Sequence, residues 1–355
     1  MAFTLLHTAD FHLGKSFSAL PPERAAQRRA DLLATLRRVC QCARDERVQL
    51  LCVAGDLFDH APTPSLLAIT RQALAEAEVP VLLIPGNHDP LEENGAYMGR
   101  WPENVRIATA PGWQRMAIDG AEVWAFGYVC GAAHRSAWRE FPGCGDQALL
   151  ALHAACLAPG LGAGAGYFSF TPREVPACGY LALGHHHRAT QVGHVPLSWY
   201  AGTPEPLEPE TTPAAALLVT LGETPTVRPL PVATRRHRLM TLDVHGLDAD
   251  DIWERALAEA TEHDLLTLRL VGVLDPAELL DVPALRAELS VRCFAADIRT
   301  EELLLPETAM AAEGALGLVQ ALARARLAAL EADSTERARW ERAVRYAVLA
   351  LEGRL

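Results

Sequence analysis

Leu6-His7-Thr8-Ala9-Asp10-Phe11-His12-Leu13-Gly14 sets a short apolar run against an abrupt polar stop. Residues 4–9 read as a buried strand ending at Asp10, with His12 two positions on, and strand alternation would send both side chains to one side. The pattern repeats downstream. Residues 22–47 read as a helix, 48–54 as a second strand stopping at Gly55-Asp56, and 65–78 as another helix. Residues 81–84 make a third strand, stopping at Pro85-Gly86-Asn87-His88. Short apolar runs alternating with helical patterns are the rhythm of βα units. Each strand therefore ends in a side chain able to bind a ligand.

Beyond residue 105 the helices thin out, and strands are expected at 123–128, 148–153, 180–184, 189–192, 215–221 and 226–230. The Gly- and Ala-rich run 160–166 and the Pro-rich run 203–213 read as loops. The fold class expected is α/β: two sheets packed face to face and flanked by the earlier helices. Arg235-Arg236-His237-Arg238 marks a boundary and reads as a solvated linker rather than a DNA contact. A small α/β unit follows, with strands at 239–244, 266–273 and 291–298 and a helix over 248–262 capped by Asp248. The tail reads as a helical hairpin. Leu316, Val319, Ala323, Leu327 and Leu330 share one face of its first helix. After a capping signal at Asp333 with Glu336, Trp340, Val344, Val348 and Leu351 share a face of the second. The domains expected are 1–235, 236–305 and 306–355.

The 355 residues carry 32 Lys plus Arg against 44 Asp plus Glu, a formal charge of −12. Half are hydrophobic and 21% charged, which excludes a disordered or collagen-like chain. A general basic nucleic-acid coat is excluded too, so any phosphate must be met locally. Lys15 is the only lysine, and an arginine-favouring coding bias accounts for that. The eight cysteines form no CxxC pair and several sit in apolar runs, the pattern of buried free thiols in a reducing compartment. Polar residues interrupt the N-terminal stretch before a signal-peptide core forms, and no apolar run reaches spanning length. A cytoplasmic protein with no membrane partner is the expectation.

Asp10, His12, Asp56, Asn87, His153, His185 and His187 bring carboxylate, amide and imidazole groups to strand ends. A hard-to-borderline divalent metal takes such O and N ligands, and two metals can share a carboxylate when about 3.5–4 Å apart. Asp56 is the natural bridge. Gly55, Gly86 and Gly184 let the backbone turn sharply and bring the ligands close. His153 is preferred to His134 because it closes an apolar strand as the others do, and His186 reads as an outward-facing turn residue. Taken singly, Asp10 with His12 could be a buried polar pair, and His185 to His187 a solvated turn.

Together these blocks, Asp-x-His, Gly-Asp, Gly-Asn-His-Asp, His and Gly-His-x-His in that order, resemble the calcineurin-like metallophosphoesterase superfamily. The flanks Gly55-Asp56-Leu57-Phe58-Asp59, Leu183-Gly184-His185-His186-His187-Arg188 and Tyr200-Ala201-Gly202-Thr203-Pro204-Glu205 are most similar to its bacterial SbcD and YhaO type, nuclease subunits of double-strand-break processing complexes. The resemblance implies that Asp10, His12, Asp56 and His187 hold one ion, and Asp56, Asn87, His153 and His185 the other. Manganese is the metal it implies, with metal-activated hydroxide as the attacking group. His88 would stand outside the ligands as acid or charge stabiliser. The partners implied are DNA, a coiled-coil ATPase of the SbcC type docked on the tail, and a second copy of the chain. The unit after residue 236 would be the capping domain. Lys15 and Arg188 are candidates for phosphate contact, each equally well an exposed surface cation. Asp59 stands where archaeal and eukaryotic relatives often have histidine, so that histidine's exonuclease role does not carry over, and His60 follows. Two competing readings are a metallophosphoesterase for cyclic nucleotides or dinucleoside polyphosphates, and a non-catalytic scaffold of the same fold.

Overall fold

The computed structural model describes residues 3–93, 95–109, 112–128, 137–158, 161, 168–194, 196–208, 213–222, 224–258, 260–274, 280–304, 327 and 335–351. The chain divides into two compact units, Met1–Arg236 and His237–Leu355.

The first unit runs β1 (Phe3–Thr8), α1 (Pro22–Asp45), β2 (Leu50–Val53), α2 (Pro64–Ala75), β3 (Val81–Leu83), β4 (Val105–Ile107), β5 (Trp113–Ile118), β6 (Ala121–Phe126) and β7 (Leu149–His153). It continues with β8 (Ala155–Cys156), β9 (Ser169–Phe170), β10 (Tyr180–Gly184), β11 (Thr190–His194), β12 (Leu197–Tyr200), β13 (Ala216–Leu221) and β14 (Thr226–Leu230). One six-stranded sheet has the order β14-β13-β1-β2-β3-β4 and the other β11-β12-β10-β7-β6-β5. β1 to β4 are mutually parallel, and so are β6, β7, β10 and β12.

Period-2 side-chain alternation makes three apolar layers of these sheets. Leu5, Leu50, Cys52 and Leu82 face Ala125, Leu149, Ala151 and Ala182 of the other sheet. The alternate residues Leu6, Leu51, Val53, Val81 and Leu83 meet Leu32, Leu36 and Val39 of α1 and Leu74 of α2. On the outer face of the second sheet, Leu150, Leu152, Leu181 and Leu183 are covered by Phe168, Phe170 and Tyr200. Strands apolar on both faces read as continuous hydrophobic runs, and parallel strands buried on both sides are built that way. The carboxyl ends of β1, β2, β3, β7 and β10 carry the loops where ligands collect in such sheets.

The second unit holds β15 (Arg236–Asp243, opening at the boundary), α3 (Ala249–Ala258), β16 (Asp264–Val273), α4 (Val282–Arg292), β17 (Ala295–Leu304) and α5 (Thr335–Leu351). Its sheet order is β15-β16-β17, and Ile252, Ala256, Leu285 and Leu289 of the helices pack on Leu266, Leu268 and Ile298. Asp248 caps α3 as expected, accepting from the Asp251 backbone N–H at 2.7 Å.

Several sequence expectations are corrected. The strand expected over 291–298 begins at Ala295, because Asp281 caps a helix, accepting from Ala284 N–H at 2.9 Å, that runs to Arg292. The cluster at 235–238 is not a solvated linker: Arg235 Nε donates to buried Asp31 at 2.5 Å, and Arg238 pairs with buried Asp264 at 3.5 Å. β4, β5, β8, β9 and β12 are additions. The first tail helix, apart from Leu327, and Asp333 lie outside the described residues, as do His134 and Cys130. The seven described cysteines are free thiols. Among the described residues, no helix is long and apolar enough to cross a membrane.

Candidate metal centre

Asp10 and His12 lie past the end of β1, so strand alternation is not what makes them converge. Both take left-handed backbones, with φ of 53° and 48°. Asp10 N–H donates to Gly55 O at 3.0 Å, His12 N–H to Asp56 O at 3.0 Å and Leu13 N–H to Leu57 O at 2.9 Å. The loop after β1 is thus stitched to the loop after β2 beyond the sheet itself. Asp56 and His185 also have positive φ, 51° and 105°. Such conformations cost roughly 1–3 kcal/mol each in non-glycine residues and cluster at functional sites.

Two glycines permit the close approach. A Cβ on Gly55, itself at φ 102°, would collide with the His153 ring, and one on Gly86 would collide with the Asp56 carboxylate.

Asp10, His12, Asp56 and His153 are 0–2% exposed. Donor atoms converge in three overlapping groups, each within 4.8 Å: Asp10 with His12 and His187, His12 with Asp56 and His88, and Asp10 with Asp56 and His153. Asp56 lies between the halves, its Oδ2 3.7 Å from His12 Nε2 and 3.4 Å from His153 Nε2. Its Oδ1 accepts from His88 N–H at 3.0 Å. Both Asp10 oxygens accept from His185 N–H, at 3.1 and 3.2 Å.

Hydrogen bonds outside the cluster fix the imidazole tautomers. His153 Nδ1 lies 3.0 Å from Ala54 O, which only accepts, so the proton sits on Nδ1 and Nε2 presents a lone pair. That nitrogen lies 2.9 Å from the Asn87 side-chain amide and 3.4 Å from Asp56 Oδ2. His185 Nδ1 lies 3.1 Å from the same Asn87 amide. His12 Nδ1 donates to Asp59 Oδ1 at 3.0 Å, leaving its Nε2 to face His187 Nε2 at 3.1 Å. Imidazoles held by a carboxylate or a backbone carbonyl on the far nitrogen are the usual support of metal ligands.

The electrostatics agree. Burial, with the neighbouring Asp56 charge, raises the Asp10 carboxyl well above its ordinary value. Burial also works to raise Asp56, but His153, His12 and the His88 N–H outweigh it and hold the carboxyl low. Burial lowers His185 to about 3, helped by the charge of His153, and His187 to about 4, helped by His12. Buried carboxylates beside His153, His185 and His187, whose basicity burial lowers, describe a place that a cation would satisfy. Carboxylate, amide and imidazole donors without a thiolate fit a hard-to-borderline divalent cation there.

His88 joins this cluster but is exposed, and its Nδ1 donates to Asp59 O at 3.1 Å. His186 is half-buried against Tyr200, ring centroids 5.4 Å apart, outside these groups. Lys15 pairs with Asp59 at 3.6 Å, and Arg188 is exposed. Two supports escaped the sequence reading. Asp59 holds His12 through its carboxylate and His88 through its carbonyl, and the Gly-Asp-x-x-Asp spacing was its available signal. Buried Asp89 accepts from Phe58 N–H at 2.9 Å, Gly86 N–H at 2.8 Å and Tyr97 Oη at 2.6 Å, pinning the loop that carries Asn87. Burial, with the nearby Asp56 charge, pushes the Asp89 carboxyl up to about 8.

Comparison with known proteins matches the part of the chain that carries Asp10, His12, Asp56, Asn87 and His88. Residues 3–148 match the family model of the calcineurin-like phosphoesterases. The chain is 30% identical over 202 residues to the uncharacterized metallophosphoesterase YhaO of Bacillus subtilis, covering 52% of this chain and 48% of that one. It is 30% identical over 108 residues to the SbcD component of the SbcCD nuclease from Staphylococcus epidermidis, covering 29% and 27% of the two chains. Against the SbcD component from Bacillus subtilis it is 30% identical over 131 residues, 32% of each chain. The matches therefore span at most about half the length of these relatives. Over residues 3–148 the chain carries a calcineurin-like phosphoesterase domain.

Proposed function

We propose that the chain is a two-metal phosphodiesterase acting on DNA, an exonuclease or endonuclease subunit of double-strand-break repair working in the cytoplasm. The observation that supports the two-metal reading is the convergence of donor atoms in three overlapping groups, with Asp56 Oδ2 between His12 Nε2 at 3.7 Å and His153 Nε2 at 3.4 Å. Asp10, His12, Asp56 and His187 would hold one ion, and Asp56, Asn87, His153 and His185 the other. Manganese is the metal assigned. Two such ions supply an attacking water of lowered pKa and charge for the phosphoryl oxygens. Asp59 and Ala54 O keep His12 and His153 in the ligating tautomer. His88, anchored through Nδ1 and open to solvent, presents Nε2 to give a proton to the leaving oxygen or to stabilise charge on the phosphate.

DNA as substrate draws on the two SbcCD nuclease relatives and on the flanking motifs. The test is digestion of end-labelled duplex, single-stranded and hairpin DNA beside cyclic nucleotides, with manganese, magnesium or EDTA. Manganese-dependent cleavage of DNA supports the proposal, and cleavage of cyclic nucleotides alone replaces it with the small-substrate reading. His88→Ala should keep its metals while turnover falls by about two orders of magnitude. Equal loss of metal in that variant makes His88 a ligand instead.

For partners we propose an SbcC-type coiled-coil ATPase, docked on the tail. α5 leaves Trp340 38% and Tyr346 51% exposed, an amphipathic helix of the kind a partner helix covers. Truncation after Pro306 should abolish co-purification with the ATPase and leave a metal-loaded phosphodiesterase. An unfolded truncation product overturns the docking assignment.

A further inference from the structure

The two loops that carry the metal-centre residues do not end there. After Asp10 and His12 the first runs on through Leu13, Gly14 and Lys15, and after Asp56 and Asp59 the second runs on through His60, Ala61, Pro62 and Thr63. Leu13 and Gly14 of the first, His60 to Thr63 of the second, Arg29, Ala30 and Leu33 of α1 and Leu66 of α2 line an open groove of about 390 Å³, with Lys15 next to Gly14 at its edge. Its walls are mostly aliphatic. His60, its side chain 63% exposed, stands among them within 3.5 Å of the Asp59 carboxylate, whose other oxygen holds His12. Lys15, the only lysine, reaches that carboxylate at 3.6 Å, and Arg29 is tied to the same loop through Ser16 O at 3.1 Å. In a chain of net charge −12, an apolar pocket bordered by two cations and joined to the metal centre through one aspartate is locally matched to an anion with an apolar body. Another cavity, of about 620 Å³, offers the contrast, since its lining includes Asp119 and Glu122 and no Lys or Arg.

We propose that the groove is a nucleoside subsite: it takes the base of a nucleotide attached to the scissile phosphate, with His60 on the base and Lys15 and Arg29 towards the flanking phosphates. The assignment rests on the phosphodiesterase reading for its biological sense, but base recognition itself needs no metal. A flat heteroaromatic ring suits an aliphatic slot of this size. Histidine is among the side chains on which unpaired bases stack.

The test is equilibrium binding of deoxyadenosine monophosphate and of base-free deoxyribose 5-phosphate in EDTA. It compares the full-length protein with the pocket-filling variants Ala30→Trp, on the helical wall, and Ala61→Trp, on the loop wall. The wild type should prefer the nucleotide over the sugar phosphate, and each filling variant should lose about tenfold of that preference. Equal binding of the two ligands by the wild type, or wild-type preference in both filled variants, overturns the subsite. A parallel manganese assay separates the two ideas. Base-selective binding without any hydrolysis leaves the subsite standing and removes the proposed function, whereas hydrolysis with no base preference does the reverse.

Discussion

Two buried polar clusters of the first unit are built on opposite terms. Around Glu205, every buried charge has a matching partner. Its Oε1 accepts from Arg28 Nη1 at 2.6 Å and Arg235 N–H at 3.2 Å, and its Oε2 from Thr35 Oγ1 at 2.8 Å and Thr234 N–H at 2.6 Å. Asp31 pairs with Arg28 and Arg235. Around Asp56, carboxylate, amide and imidazole donor atoms converge, and burial lowers the basicity of His153, His185 and His187. A closed network ties α1 to the segment after β14 and needs nothing from outside. An open one leaves donor atoms for imported cations, and satisfaction of polar groups thereby separates a clamp from a site.

That contrast can be broken by removing the centre of each cluster. Asp56→Asn should lose both ions and bring hydrolysis to background while the fold persists, because it removes the one carboxylate shared by the two halves. Metal analysis beside a chromogenic diester reads this, and retention of either ion refutes the bridge. Glu205→Ala should act the other way. Breaking a buried pair leaves Arg28 only the longer pairing with Asp31 and strips Thr35 and two backbone N–H groups of their acceptor, and denaturant unfolding should report a loss of about 3–5 kcal/mol with metal stoichiometry unchanged. Loss of metal without loss of stability would reverse the two roles. Asp59→Asn sharpens the comparison at the border of the site. The weaker acceptor still fits His12 Nδ1–H, so metal affinity should fall by about 10–100-fold with no change in stoichiometry. An affinity equal to wild type would show that His12 needs no such support.

The open cluster was legible in the sequence because each candidate ligand follows an apolar run, and a polar stop after a buried strand is a local signal. The left-handed turns at Asp10, His12, Asp56 and His185 were not, since an L-residue with positive φ is imposed by tertiary contacts such as Asp10 N–H to Gly55 O. The closed cluster left no signal. Arg28 and Arg235 look like surface arginines among many, and their acidic partners stand 177 and 204 positions away. β4 and β5 went unread because their alternation is short and partly exposed, with burial chiefly at Val105 and Ile118. The described part of the tail, α5, agrees with the helix expected after residue 333, whose apolar face includes the buried Val344.

The central claim is that the acceptors around Asp56 form two cation sites rather than one or none. Calorimetric titration of manganese into metal-depleted protein, with elemental analysis of the saturated sample, addresses it directly. Two ions per chain, accompanied by a rise in the unfolding midpoint that Asp56→Asn does not show, is the result predicted. Saturation at one ion, or two ions bound as well by the Asp56→Asn variant as by the wild type, would contradict it.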